Sequence, residues 1–439
     1  MKNLTTLSVA FLIGSAAIYF TESSNNDNNI NYRGEASLVP EIKGCVFNTV
    51  FGLESSKFNS SYKTPAKVET SIGVGLVWIA KAQQTNGGWG AGSHSRQDIL
   101  DPHAVNADPA TTAMVAMALM RSGSTVLSGQ YAKQLNRALE YILKEVERAS
   151  KNNNKITDET GTQIQIKLGA NIDAVLALQF LTNIVDELEH DPALKQRVMK
   201  SLNICVDKVQ NLQASDGKLK GGGWAGVLQS GLANNALEAA QTKGANVDAT
   251  VLEKSRDYQN SNFDTESGDV NTMDGAGVVL YSVSSSVRAS AKNAREVRED
   301  IAKAKAEGII DEEAEVNEQT LSKIGYSKDK AMKANTAYQV YNSAKTVAQD
   351  DNVVRGFGNN GGEEFLSFLQ TGESLIINKD NDWKNWYDDV SGRLLSIQNN
   401  NGSWNGHHCI TSPVFCTAVS VLILTVNNDI DKLTMIGQN

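Results

Sequence analysis

The sequence predicts an all-α protein whose helices pair into about six hairpins in two layers, arranged as a closed ring or, in the competing arrangement, an open solenoid. Three observations lead there. Only 6 of the 439 residues are proline, which leaves long helices uninterrupted and disfavours a many-turned β architecture. Apolar residues recur at helical spacing along most of the chain, and two helix types alternate: one apolar on every side, one carrying a single apolar stripe. The alternation returns about every 50 to 60 residues, the mark of a repeat in which no unit buries its apolar face alone. A hydrophobic share of 41% excludes wholesale disorder. A net charge of -9 excludes a general nucleic-acid binder, because phosphate neutralisation needs clustered Lys and Arg.

From the N-terminus, Met1-Lys2 precedes an uncharged run from Leu4 to Phe20 with Ser15, Ala16 and Ala17 near its end. This reads as a signal peptide over 1–21, or an uncleaved membrane anchor, placing the body of the protein outside the cytoplasm. Residues 22–64 are an Asn/Ser-rich lead-in, and 65–430 form the ring. The four cysteines, Cys45, Cys205, Cys409 and Cys416, are too few for a disulfide scaffold. Cys409 and Cys416 stand close enough in sequence to be the expected couple in an oxidising compartment.

The fully apolar type is expected at Pro109–Met120, with Asp108 as N-cap, Pro109 in the first turn and Gly123 after the end. It recurs at 171–188, 227–242, 276–286, 362–377 and 413–426. Striped helices are expected at about 66–84, 130–149, 192–213, 248–260 and 381–398, and in pieces over 287–349. The helix at 130–149 shows the stripe well, with Leu135, Ala138, Leu139, Ile142 and Val146 separated by charged and amide side chains. Residues 287–349, rich in Ala, Lys and Glu, read as a solvated helical insertion.

A motif marks the hairpin turns. Trp78-Ile79 is followed by Gln83, Gly87 and Trp89; Gln398, Gly402 and Trp404 repeat the spacing, with Arg393 at the aromatic position. Gln213, Gly217 and a displaced Trp224 form a looser copy. Physically, the Gln amide can satisfy carbonyls left open at a helix end, the Gly supplies the turn and the indole covers the joint. The motif resembles the repeats of squalene and other triterpene cyclases. On it the chain is identified as a member of the prenyltransferase and squalene-cyclase repeat superfamily, whose fold is the α/α toroid. GGWG before DPATTAMVAMALM, GNNGGEEFLSFL and NGSWNGHHCITSPVFCTA resemble exported bacterial members without an assigned reaction. The resemblance covers about 65–426 and implies the ring. It does not imply the family's chemistry: the cyclase Asp-x-Asp-Asp acid, the prenyltransferase Asp-x-Cys zinc pair and the thioester Gly-Cys-Gly-Glu-Gln are all missing from this sequence.

Four of the five histidines fall in two equivalent loops. His94 and His103 lie between Trp89 and the helix at Pro109; His407 and His408 lie between Trp404 and the helix at Pro413. In a closed ring these loops share one end and meet. With Asp108, Cys409 and Cys416 they offer ligands suited to Zn²⁺, His407, His408, Cys409 and Cys416 above all. The helix dipole would lower the thiol pKa of Cys416, one turn into its helix. Two other readings stand beside the metal site: a Cys409–Cys416 disulfide in an ordered loop, and a thiol paired with His for acyl transfer. Glu363 and Glu364 open a buried helix and read as dipole caps, with a general-acid role as the second option. Gly221–Gly223 before Trp224 lacks the Lys-Ser/Thr of a phosphate loop.

The function expected from the sequence is therefore an exported binding or scaffold module that keeps the cyclase ring without the cyclase acid, its working surface the loops 90–108 and 405–412. The other class is a metal-dependent or thiol-based enzyme acting there on a lipid or glycan. Expected partners are a small hydrophobic ligand, a glycan or a protein, no nucleic acid, and a membrane only through an uncleaved N-terminal segment.

Overall fold

The computed structural model describes residues 63–436 except 357, 359 and 435. The chain divides into two units, 1–43 and 44–439, and every described residue belongs to the second. The expected signal peptide or anchor, most of the lead-in and Cys45 lie outside the described residues.

Twelve helices build two concentric layers. The inner layer holds α2 (Pro109–Arg121), α5 (Ile172–Ile184), α7 (Gly226–Thr242), α9 (Val279–Ala306), α13 (Gly362–Ile377) and α15 (Pro413–Leu424). Each packs on the next, and α15 returns to pack on α2, so the ring is closed. The outer layer holds α1 (Ala66–Lys81), α3 (Ala132–Arg148), α6 (Pro192–Gln210), α8 (Ala249–Asn260), α11 (Lys328–Gln349) and α14 (Trp383–Ser396). This is an all-α, α/α toroid architecture.

The inner helices form because their residues are apolar on all sides and are enclosed on all sides: every residue of α2 is buried. The outer helices bury one stripe, as α3 buries Leu135, Ala138, Leu139, Ile142 and Val146. Each outer helix packs on the inner helix that precedes it in the chain, and α1, which has none, packs on α15. Ser71 of α1 donates its hydroxyl to Gln398 Oε1 at 2.7 Å, and Gln398 Nε2 donates back to Ser71 O at 3.0 Å.

Residues 287–349 are more than an insertion. The inner helix α9 does not stop near 286 but runs on to Ala306, and α11 turns back along it as the outer helix of that hairpin. The protruding part has a small core of its own from Val297, Ile301, Ala304, Ile310, Leu321, Ala331 and Ala334. Short helices α4 (Gln163–Lys167), α10 (Glu318–Lys323), α12 (Asp351–Val354) and α16 (Ile430–Thr434) fill the connections.

The hairpin motif works by joining neighbours. Gln83 Nε2 donates to Gly87 O at 2.8 Å and to Gln134 O of the adjacent outer helix at 2.9 Å. Gln398 does the same to Gly402 O and Ser71 O, and Gln213 reaches Val251 O at 2.7 Å. The amide thus bonds the turn and the next outer helix, rather than capping the end of its own helix. Trp89 and Trp404 are fully buried, each indole donating 2.8 Å to a carbonyl ten residues earlier, Ile79 O and Leu394 O. Gly87, Gly217 and Gly402 have φ of +94°, +91° and +93°, the left-handed region that favours glycine.

Candidate functional site

Along the chain each outer helix leads through a loop into the next inner helix, so all six inner helices begin at the same end of the ring, and these loops gather there. The first and last loops do meet. Gln97 Nε2 donates to Cys409 O at 2.7 Å and bonds His94 Nδ1 at 2.8 Å. The fully buried Gln163 of α4 accepts from Thr411 N and Ser412 N through Oε1, at 2.8 and 3.1 Å, while its own N–H donates to Gly92 O.

Two carboxylate pairs stand at this end. Asp108 caps α2, accepting from Thr111 N at 2.7 Å and Ala91 N at 2.9 Å. Asp173 of α5 accepts from Ala110 N and Gln165 Nε2. Burial raises the pKa of both, and for Asp108 the Asp173 carboxylate adds to the rise. With their oxygens taken up by backbone and amide donors, these two hold helix ends in place.

The second pair opens on a cavity. Glu364 closes a capping box on α13, accepting from Gly361 N at 2.9 Å, and also accepts the Tyr281 hydroxyl of α9 at 2.7 Å. His408 Nε2 lies 3.7 Å from its Oε1. Glu363, 1% exposed, accepts from Ile410 N at 3.2 Å. Burial, then the adjacent Glu364 carboxylate, push the Glu363 carboxyl up to about 8, so it carries its proton at neutral pH. The cavity beside it measures about 380 Å³ and is lined by Trp224, Ala225, Ala276, Tyr281, Glu363, His408 and Cys409. Ala276 and Cys409 have φ of +54° and +57°. Strained non-glycine backbone of this kind costs about 1–3 kcal/mol and collects at working sites.

Trp224 is placed otherwise than its motif reading. Leu219 occupies the Trp position of the third copy, its N–H donating to Ser230 Oγ as Trp89 and Trp404 donate to Thr112 and Thr417. The indole of Trp224 is instead 65% exposed on the cavity rim, with Lys167 Nζ over its ring at 4.2 Å from the centroid. Gly221–Gly223 serves this approach: a Cβ on Gly223 would stand 2.4 Å from Ile166 O.

Several expectations need correction. Cys409 and Cys416 are free thiols rather than a disulfide. Cys416 is buried and donates to Ile410 O, and burial with the Glu363 charge raises its pKa, overriding the helix dipole. Cys409 is pushed up to about 11 by burial and by Glu363. Both shifts oppose a thiolate nucleophile. His103 and His407 are exposed at the loop surface, and among the described residues no three His, Cys, Asp or Glu side chains are grouped to hold a metal ion. His94, whose pKa burial and the Lys167 charge lower, lies by Cys409 without completing a zinc set.

No family model and no curated protein matches the chain. Among solved structures, it is similar to an inactive variant of an α-1,6-mannanase of Salegentibacter sp. bound to α-1,6-mannotriose. Identity there is 13%, over 83% of this chain and 99% of that one, with a TM-score of 0.48. Two glycosidase variants, one bound to glucose, align at 12% identity over 83% of this chain and 98% of theirs, with a TM-score of 0.43. At this identity the likeness is one of fold. The expectation of a non-catalytic binding or scaffold module is corrected by this chain's own site, where a buried carboxyl raised to about 8 opens on a cavity.

Sequence reasoning missed two members of the site. Tyr281 and Lys167 belong to other hairpins, and only ring closure brings them to Glu363. Glu363 itself was legible as an acid at a helix start, but its burial was not.

Proposed function

We propose that the protein is an exported glycan-cleaving enzyme in which Glu363 is the general acid. One observation carries this reading. Glu363 holds its proton near neutral pH in a cavity whose rim presents the exposed Trp224 ring, a flat apolar face on which a sugar ring stacks. Cleavage of a glycosidic bond needs a proton delivered to the leaving oxygen, and a carboxyl raised toward the working pH delivers it. Glu364, fixed by Gly361 N and the Tyr281 hydroxyl, supports this role by holding its side chain next to Glu363. The ring architecture shared with the prenyltransferase and squalene-cyclase repeat group supplies the scaffold and no part of the chemistry. The uncharged run at Leu4–Phe20 supports export.

The test is reducing-end release from a panel of mannans, glucans and uronate-containing glycans. The wild type is expected to cut one class. Glu363→Gln should lower kcat by about a hundredfold or more, and Trp224→Ala should raise KM with a smaller effect on kcat. Wild-type turnover in Glu363→Gln would exclude Glu363 as the acid, and a panel left uncut by the wild type would sink the reading.

A further inference from the structure

Lys167 is a buried cation without an anion. It ends α4, is 5% exposed, and among the described residues it makes no ion pair and no side-chain hydrogen bond. Its one close partner is the Trp224 ring at 4.2 Å. Lysine is rarely buried unless paired, and the other strongly buried cations here are provided for. Arg121 lies 2.7 Å from Glu373 and 2.6 Å from Asp429, and Lys208 donates to Ser150 O and Asn153 O. Lys167 therefore has a donor group held in place and unspent.

Its position says where that group is directed. The ammonium sits over the ring of Trp224, which lines the cavity, and its charge is felt at Glu363, Cys409 and His94. Three contacts fix it there: Ala225 N to Lys167 O at 2.7 Å, Gly223 N to Leu168 O at 3.0 Å and Trp224 N to Ile166 O at 3.3 Å. These tie the Lys167 and Trp224 backbones side by side. Glu363 accepts from Ile410 N, and Glu364 from Gly361 N and the Tyr281 hydroxyl, and neither forms an ion pair with the ammonium.

We infer that Lys167 is the anion-recognising residue of the glycan site, and that the substrate is an acidic glycan whose sugar lies at Trp224 and whose carboxylate pairs with the Lys167 ammonium. A single compact cation suits a single carboxylate, and a charge-assisted bond is among the stronger polar contacts. The net charge of -9 gives no long-range attraction to a polyanion, so selection for the acid falls to this local cation. The inference rests on the glycan reading above and goes beyond it in naming the substrate class.

The experiment is a calorimetric titration of the Glu363→Gln protein, which leaves ligands uncut. The probes are trimers of galacturonate, glucuronate and mannuronate, each against its methyl ester. At least one acid trimer should bind about tenfold tighter than its ester, with the preference shrinking as salt rises. Adding Lys167→Met should abolish the preference while leaving ester binding in place, and Lys167→Arg should retain most of it. Equal binding of acid and ester, a preference that survives Lys167→Met, or no binding of any trimer at millimolar concentration would overturn the inference. Cleavage plays no part in this readout. Acid preference with no glycan ever cut sinks the general-acid reading alone, and cleavage of neutral glycans without acid preference sinks the Lys167 subsite alone.

Discussion

A single carboxyl, Glu363, carries two pH dependences of different origin. As a general acid it works protonated, so turnover should hold at neutral pH and fall as pH rises through about 8. In folding, a carboxyl raised above its unfolded value gives stability that is fully present below about 4.5 and is lost as pH rises toward 8. Thermal unfolding from pH 5 to 8 should therefore show the wild type losing ground against Glu363→Gln, which has no charge to gain. A constant gap between the two proteins across that window would contradict the raised carboxyl. Asp108 and Asp173 bend both curves the same way and cancel in the comparison. The residue-scale reading of the sequence was partial for a physical reason. Histidines drew attention because they are rare, but the site's chemistry comes from burial, and burial of Glu363 depends on Ile410, Tyr281 and Cys409 arriving from two other stretches of chain.

At the scale of the element, the hairpin glycines do more than turn the chain. A Cβ on Gly217 would stand 2.0 Å from Lys254 O of the adjacent outer helix, and one on Gly87 would stand 2.6 Å from Arg137 O. Gly123 has the same backbone hand, φ +92°, with nothing within 4 Å. Gly123→Ala should therefore cost only the left-handed strain, about 1 kcal/mol, and Gly217→Ala distinctly more, about 3 kcal/mol, in urea unfolding. Equal costs would mean that turn strain alone explains the motif. The helices themselves were legible, because an all-apolar segment has to be enclosed and a striped one has to face it. The expected Gly362–Ile377 matches α13 at both ends, and Pro109–Met120 misses α2 by one residue. The stretch near 286 was not legible as continuous helix. Alanine and charged residues replace the apolar run there, and that change in surroundings leaves the backbone of α9 unbroken.

For the whole molecule, closure is enforced at the end opposite the site as well. Arg121, at the close of α2, donates to Glu373 of α13, to Asp429 and to Leu422 O of α15. One side chain thus joins three parts of the ring. Arg121→Met leaves two partly buried carboxylates facing each other, and should destabilise the protein by about 3–5 kcal/mol. A chemical denaturation midpoint unchanged from the wild type would show that the ring does not depend on it.

The packing of α1 on α15 rather than on its own successor has a consequence for how the chain is made. On emerging from a ribosome or a translocon, Ala66–Lys81 has no lasting partner until Pro413–Leu424 has followed, more than three hundred residues later. The other outer helices have their inner partner already in place ahead of them. The first helix is then the last to dock, its stripe of Val68, Leu76 and Ile79 open to solvent in the interval, and the final step of folding closes the longest loop in the molecule.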